Sequence, residues 1–562
     1  MNSQELHDAV VTLGTELRRA RFPLDASGSE GARTAQGELI GQIDDYLLPR
    51  LRELEAPLLA VFGGSTGAGK STLVNSLIGR TVSATGVLRP TTTTPILVAH
   101  PLELKWFESD RILPGLARTT GKLEAGSGAL HLIADGDAPR GVAFLDAPDI
   151  DSVVQTNREM AGQLLAAADL WLFVTTASRY ADAVPWGYLR QARERSTALA
   201  LVLNRVPAEA LQEVPRHLEE MLRKEGLDQT PVLTVPEVPL EDGRIPEAAL
   251  QPVKRWLDAL AADADAKSQT VLKTLTGAIE SLTPRVEKIA HQMEAQIAAA
   301  AELSADAKRI YERAVQDAEE ALSSGALLRS EVLARWHEFI GTGDVMKNLQ
   351  SSIGRIRDRI KDVLTGKPPV AHEVQVEVEK SIETVVVSVA DKAAERTVAA
   401  WRASPHGEAL INAGAAPDRS SAQLRDALDA ETRAWQANVM DLVKEQGPAR
   451  RAAGRAVSFG VNAAGAALML AVFAHSGGLT GGEFVIAGGT AALSQRLLEA
   501  IFGEEAVRTL AAKARGDLLK RLTRLLEAEA ERFGKAAARD VPSPQQVAQL
   551  RSALGSVQGA RQ

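Results

Sequence analysis

The sequence predicts an α/β phosphate-loop domain, with a mostly parallel sheet and helices on both faces, plus a long all-α stalk that carries a hydrophobic helical hairpin. A complete phosphate-loop motif follows an apolar strand, and further short apolar runs alternate with crossover-length segments. Beyond residue 262, apolar residues recur instead at helical spacing. The predicted boundaries are 1–55 for N-terminal helices packing on the stalk, 56–262 for the α/β domain, 263–450 for the stalk, 451–500 for the hairpin, and 501–562 for a returning stalk helix with a loose tail.

The composition and charge of the chain exclude several classes of function. The chain has 562 residues, enough for roughly two to four domains. Its net charge of −8 gives no general attraction for nucleic acid, so we expect no nucleic-acid partner. The absence of cysteine excludes disulfides, thiolate metal sites and a cysteine nucleophile. The first 25 residues contain no continuous apolar segment, so no secretory signal is expected.

The phosphate loop is the strongest motif. It fits G-x-x-x-x-G-K-[ST] without a mismatch, between an apolar strand at 58–62 and a helical pattern at 72–79. Backbone N–H groups of such a loop converge on phosphate oxygens, and the helix N-terminus adds partial positive charge. We expect Lys70 to reach the β/γ-phosphates and the Ser71 hydroxyl to bind Mg²⁺. The residues predicted to hold the nucleotide here are Gly64, Ser65, Thr66, Gly67, Ala68, Gly69, Lys70, Ser71 and Thr72.

Three later segments are placed to complete the site. A threonine-rich loop at 89–95 offers a hydroxyl that binds Mg²⁺ only while a γ-phosphate is present, and Thr92 and Thr93 are the candidates. Asp146 ends the apolar strand 142–145, where an acid meets Mg²⁺ through water. Asn204 and Arg205 end a later strand and are the candidates to meet the nucleotide base.

Together these motifs resemble the dynamin-related large GTPases of bacteria, and the predicted order of domains agrees. The resemblance implies a GTPase domain that binds GTP and GDP with Mg²⁺. Catalysis would then involve Lys70, Ser71, Thr92, Thr93 and Asp146. It also implies a homo-oligomer, or a hetero-oligomer with a paralogue, formed through the GTPase head. The implied location is the cytoplasmic face of the cell membrane, against anionic lipid.

The sequence departs from the family's pattern at three places. Asp149 stands where the second switch normally ends in glycine, which brings negative charge toward a negative ligand. Pro207 stands where an acid reads the guanine base, and Thr66 and Gly67 replace a glutamine-serine pair in the phosphate loop. We therefore expect weak base selectivity, and turnover that is slow or depends on assembly.

The hairpin prediction comes from uncharged segments at 456–474 and 484–495, joined by a glycine-rich stretch. The first segment is just long enough to cross about 30 Å of hydrocarbon as a transmembrane helix, whereas the second is too short. Flanking arginines favour two ends held at one membrane surface: Arg450, Arg451, Arg455 and Arg496. The alternative is a Gly/Ala-rich helix pair buried within a bundle.

Three functions remain open at this stage. The first is a GTPase that couples dimerisation of its head to membrane binding and remodelling. The second is a low-turnover nucleotide-sensing scaffold that recruits partners to a membrane, which Asp149 and Pro207 favour. The third is a soluble regulatory GTPase or ATPase. Steady-state turnover with and without liposomes separates the first two.

Overall fold

The computed structural model describes most of the chain. The described residues are 3–83, 94–109, 112–113, 115–120, 128–152, 154–323, 369–414, 416–445, 461–474, 498 and 502–561. Contacts divide the chain into two compact units, which we call the head unit and the helical unit. The head unit comprises Met1–Phe22, Gly28–Glu294 and Pro542–Gln562; the helical unit comprises Pro23–Ser27 and Ala295–Val541.

An eight-stranded sheet forms the centre of the head unit, with the order β3-β4-β2-β5-β1-β6-β7-β8. Every neighbouring pair is parallel except β2 and β5, which confirms the mostly parallel sheet. The strands are β1 (Leu58–Gly64), β2 (Ile96–Ala99), β3 (Arg118–Thr119), β4 (Leu130–Ala134), β5 (Val142–Asp146), β6 (Leu170–Thr176), β7 (Ala198–Val206) and β8 (Val232–Pro236).

The central strands are apolar throughout because both faces of the sheet are covered. In β1, Leu59 and Val61 belong to one core cluster, whereas Leu58, Ala60 and Phe62 belong to the cluster on the opposite face. This two-residue alternation is the geometry of a strand buried on both sides. The prediction of helices on both faces is therefore confirmed.

The head unit contains most of the shorter helices. Residues of α5, α6 and α7 join the first cluster, and residues of α4 and α8 join the second. The helices are α1 (Ser3–Arg19), α2 (Ser29–Gln42), α3 (Leu48–Arg52), α4 (Lys70–Ile78), α5 (Gln155–Ala166), α6 (Ala183–Glu194), α7 (Glu213–Lys224) and α8 (Glu247–Ala262). The next helix, α9 (Ala264–Ser323), belongs to the head unit only as far as Glu294. Short helices of other types are Ile43–Leu47, Leu104–Trp106 and Ala208–Ala210.

The N-terminal helices contact the sheet through a buried ion pair. Arg50 in α3 donates from Nε to Asp169, just before β6, at 3.0 Å, and its guanidinium also bonds the carbonyl of Ala56 at 3.1 Å. Asp169 in turn accepts from the backbone N–H of Leu59 at 2.8 Å. Both charged side chains are buried, so the charge of each has to be neutralised by the other. This pairing fixes α3 at the N-terminal end of β1.

The C-terminal segment differs from the predicted loose tail. Residues Pro544–Arg561 form a helix that packs along α1 in the head unit. Val547, Leu550 and Val557 are buried on it, and Arg551 donates to Glu294 of α9 at 2.6 Å. The proline-serine-proline sequence before it signalled a break, but the apolar residues beyond it repeat at helical spacing and are buried in the structure.

The helical unit is built from the second part of α9 and later helices. Its described helices after α9 are Pro369–Arg402, Pro405–Asn412, Ala422–Glu445, Val461–Ala474 and Glu504–Ala537. Large aromatic side chains fill its core: the ring of Phe533 lies 5.9 Å from that of Tyr311 and 5.5 Å from that of Trp401. Predicted stalk helices within 324–368 lie outside the described residues.

The apolar helix (Val461–Ala474) is the described part of the predicted hairpin. Residues Ala464 to Phe473 are all buried, against the helices Ala422–Glu445 and Glu504–Ala537, and the ring of Phe473 lies 6.0 Å from that of Trp435. In the described residues, no helix is both long enough and apolar enough to cross a bilayer, so the transmembrane prediction has no support there. The described part of the apolar helix has 14 residues, whereas a span needs about 20.

The other residues on which the hairpin prediction rests are not among the described ones. The glycine-rich stretch at 475–482, the second apolar segment at 484–495 and the four flanking arginines all lie outside the described residues.

Candidate functional site

The phosphate loop connects the C-terminal end of β1 to the first residue of α4. Gly64 has φ of +148° and Gly69, which precedes α4, has φ of +95°. A side chain at Gly64 would meet the carbonyl of Val174 in β6, and one at Gly69 would meet the amide of Asn204. Glycine is therefore required at both positions by conformation and by space. The result is the strand-loop-helix arrangement that the motif predicts.

Lys70 is buried inside this loop, with a side-chain exposure of 4 %. Its Nζ donates to the carbonyl oxygens of Gly64 at 2.9 Å and Ser65 at 3.2 Å. It also forms an ion pair with Asp149, which lies three residues after β5. The ammonium group of the loop is thus neutralised by a carboxylate of the same chain.

Asp146 and Ser71 meet beside the loop. The Ser71 hydroxyl donates to Oδ2 of Asp146 at 2.6 Å, and Ser83 donates to the same oxygen at 2.6 Å. Burial raises the pKa of Asp146, although these two hydrogen bonds act in the opposite direction. Its second oxygen, Oδ1, is buried and has no partner among the described residues.

These oxygens suit Mg²⁺. That ion is held by one or two carboxylates together with phosphate oxygens and water, and it prefers hard oxygen ligands. Asp146 supplies a buried carboxylate whose second oxygen accepts no hydrogen bond within the described part of the chain, and Ser71 supplies a hydroxyl at the start of α4. The third and fourth predicted ligands, Thr92 and Thr93, lie outside the described residues.

Asp151 lies on the other side of the loop. Its Oδ1 accepts from the backbone N–H of Thr66 at 2.6 Å and from the Thr66 hydroxyl at 2.8 Å. Its Oδ2 accepts from Arg179 at 2.9 Å, and Arg179 also donates to the Thr66 carbonyl at 3.0 Å. Arg179 follows β6, which pairs with β1, so the sheet brings it to the loop.

Asn204 contacts the loop from β7. Its side-chain amide donates to the Ala68 carbonyl at 2.8 Å, and its Oδ1 accepts from the backbone N–H of Arg205 at 3.0 Å. Arg205 has φ of +52° and is exposed. Pro207 begins the turn into the helix Ala208–Ala210 and offers no carboxylate. Asn204 is therefore fixed against the phosphate loop.

The structure thus brings together the predicted residues from Gly64 to Thr72 with Asp146 and Asn204. Sequence reasoning noted Asp149 as a departure but did not predict its ion pair with Lys70. It missed Ser83, Asp151 and Arg179. Asp149 and Asp151 follow a strand-end acid closely and could have been considered as loop partners, whereas nothing local in the sequence points to Arg179.

The fold and this site define a phosphate-loop α/β protein with a second, helical unit. No protein-family model matches the chain, and no curated protein matches it. The chain is similar in structure to bacterial dynamin-like proteins. Two structures of an oligomerised bacterial dynamin pair, described as sensing and tethering membranes over long range, match at 9 % and 10 % identity with TM-scores of 0.45 and 0.47. They cover 93 % and 100 % of this chain, and 94 % and 96 % of their own.

Two other solved structures match with lower scores. LeoA, a bacterial dynamin GTPase from ETEC, matches at 10 % identity and a TM-score of 0.24, covering 100 % of this chain and 99 % of its own. A variant of Era from Aquifex aeolicus, bound to GDP·AlF4⁻, matches at 18 % identity and a TM-score of 0.24. That match covers 37 % of this chain and 56 % of Era.

Proposed function

We propose that this protein is a dynamin-like GTPase that binds and hydrolyses GTP with Mg²⁺. One observation carries the proposal: the phosphate loop joins β1 to α4 with Lys70 inside it, and Ser71 and Asp146 meet beside it. These groups are the cation, the hydroxyl and the buried acid that phosphoryl transfer from a nucleoside triphosphate requires.

Each residue has a separate role in this proposal. The N–H groups of residues 64–72 bind phosphate oxygens, and Lys70 neutralises charge that develops between the β- and γ-phosphates. Ser71 and Asp146 would hold Mg²⁺, which supplies positive charge to the same phosphates. Asn204 and Arg205 would contact the base. Water attacks the γ-phosphorus, and the bond to the bridging oxygen breaks.

A second candidate function is a nucleotide-sensing scaffold with low turnover. The ion pair between Lys70 and Asp149 favours it, because nucleotide has to displace a carboxylate that already neutralises the ammonium group. The missing acid at Pro207 favours it further. The two candidates share one binding site and differ in turnover.

We also propose that the protein acts at the cytoplasmic face of a membrane, against anionic lipid, and that its head unit pairs with a second copy or a paralogue. The charge pattern around 456–495 supports the membrane contact, since arginines flank both ends of the uncharged segments. In this conformation the apolar helix is covered by other helices, so its contact with a bilayer requires its release from the bundle.

The first test is nucleotide selectivity. Because Pro207 cannot accept hydrogen bonds from a guanine edge through its side chain, we expect GTP to bind less than a thousandfold more tightly than ATP. One lost pair of polar groups typically costs about 1–3 kcal/mol. Titration calorimetry with non-hydrolysable GTP and ATP analogues in Mg²⁺ measures the ratio.

A larger preference for GTP means that another residue reads the base. Failure of both analogues to bind at millimolar concentration contradicts the proposed function itself. A Pro207→Asp variant is the matched gain-of-selectivity control, and it should raise the ratio if this position faces the base.

The second test is flotation with anionic vesicles at low and physiological salt. If release of the apolar helix depends on nucleotide, more protein should float with a GTP analogue than without nucleotide. GTP turnover measured with the same vesicles separates the two candidates: stimulation supports the GTPase machine, and unchanged low turnover with flotation supports the scaffold. Protein that stays at the bottom under all conditions contradicts the membrane proposal.

A further inference from the structure

One carboxylate bridges the phosphate loop and an arginine. Each oxygen of Asp151 has its own partner. Oδ1 accepts hydrogen bonds from the N–H and the hydroxyl of Thr66, and Oδ2 accepts one from the guanidinium of Arg179. Arg179 returns to the loop through the Thr66 carbonyl at 3.0 Å. The three donors converge on one anion.

That anion is bound to the phosphate loop itself. Thr66 is the third residue of the phosphate loop, and backbone N–H groups of such loops bind phosphate oxygens. Partial burial acts to raise the pKa of Asp151, but hydrogen bonds from Thr66 and Arg179 outweigh it and hold the pKa below its usual range. The group on the loop is therefore a charged carboxylate at neutral pH.

The same arrangement occurs at Lys70, whose ammonium pairs with Asp149. Asp149 and Asp151 thus set two negative charges against one loop. A bound triphosphate would add several more, and like charges placed close together repel each other. The carboxylates and the nucleotide therefore compete for the same donors.

Arg179 is placed to remain when Asp151 leaves. Its Nε donates to Asp182 at 2.8 Å, and its own backbone N–H bonds the carbonyl of Thr176 at the end of β6. Neither contact involves Asp151. Its side chain is 39 % exposed, so it has room to shift toward a ligand. Arginine also binds phosphate in the same geometry as carboxylate.

We propose that Arg179 is a phosphate-binding residue of the nucleotide site, and that Asp151 is its internal counter-ion, exchanged for a phosphate oxygen when nucleotide binds. This inference rests on the proposed nucleotide-binding function. It adds a second cation to the site beside Lys70 and makes the segment that follows β5 an internal competitor of the nucleotide.

A purely structural pair predicts something different. If Arg179 and Asp151 only hold the loop in shape, removal of either partner loosens the loop and weakens nucleotide binding. If Asp151 is exchanged for a phosphate oxygen as proposed, the two removals change nucleotide affinity in opposite directions. Arg179→Ala deletes a phosphate ligand, whereas Asp151→Asn deletes the competing charge and keeps the shape of the side chain.

The experiment is a titration of the full-length protein with a non-hydrolysable GTP analogue and Mg²⁺ at fixed salt. For Arg179→Ala we expect affinity to fall about tenfold or more, the usual effect of losing a charge-assisted hydrogen bond. Arg179→Lys, which keeps the charge, should lose less. For Asp151→Asn we expect affinity to rise roughly three- to tenfold.

Arg190→Ala is the matched control, since Arg190 of α6 pairs with Glu225, the residue that follows α7, away from the loop. It should bind like the wild type. Unfolding curves identify any variant that fails to fold. If Arg179→Ala fails to fold, the affinity of Asp151→Asn alone decides whether the proposal holds. Equal or weaker binding by Asp151→Asn overturns the proposal, as does unchanged binding by a folded Arg179→Ala. A wild type that binds no nucleotide overturns the proposed function instead.

Discussion

Lys70→Ala is expected to abolish measurable nucleotide hydrolysis and to weaken triphosphate binding by about a hundredfold or more. The ammonium group is the only loop cation that the motif places at the β/γ-phosphates, and loss of one such donor costs about 2.7–4 kcal/mol. Binding of a fluorescent GTP analogue and release of inorganic phosphate measure the two effects. Wild-type turnover in a folded Lys70→Ala protein contradicts the assignment of the loop.

Stability has to be separated from ligand binding in this variant. Lys70→Ala leaves the Asp149 carboxylate without its ion-pair partner in a buried position, and an uncompensated buried charge is strongly destabilising. The double variant Lys70→Ala/Asp149→Asn removes that charge, so it should recover thermal stability without recovering nucleotide binding. Lys254→Ala, at a half-exposed lysine of α8, is the matched control and should leave binding unchanged.

The sheet was largely predictable because its central strands are short and wholly apolar. Six of the eight strands coincide with apolar runs in the sequence: β1, β2, β5, β6, β7 and β8. The other two did not stand out: β3 contains only Arg118 and Thr119, and β4 is interrupted by His131. β3 is an edge strand and β4 lies next to it, and there the neighbouring strands rather than composition decide pairing.

The site was predictable where its chemistry is local. Lys70 and Ser71 follow from one contiguous motif, and Asp146 from its position at the end of an apolar strand. Arg179 could not be found this way, because it reaches Thr66 only through the pairing of β6 with β1. The bond between Asn204 of β7 and Ala68 depends likewise on the pairing of β7 with β6.

The environment of the apolar helix could not be predicted from the residues of that helix. A helix without a polar face is typical both of a membrane span and of the centre of a large bundle, and its own residues do not distinguish the two. The deciding information lies in the helices Ala422–Glu445 and Glu504–Ala537, whose apolar faces cover it. Those faces can be recognised in the sequence, but their partner cannot.

This burial leads to the prediction that Leu468→Asp strongly destabilises the helical unit instead of simply weakening vesicle binding. Leu468 is 1 % exposed, so the substitution loses the packing of a core leucine and places a charge among apolar side chains. Together these effects should cost at least about 4 kcal/mol, or a fall in melting temperature of roughly 10 °C or more.

Thermal unfolding followed by circular dichroism measures this change, with Leu272→Asp as control. Leu272 is on α9 and 47 % exposed, so the same substitution there should change stability by less than about 0.5 kcal/mol. A Leu468→Asp protein that melts like the wild type and only loses vesicle binding would show that the helix is exposed in solution. Because the proposed nucleotide site lies in the head unit, nucleotide binding should survive at temperatures where the helical unit of the Leu468→Asp protein has melted, which separates unfolding of the helical unit from loss of the whole chain.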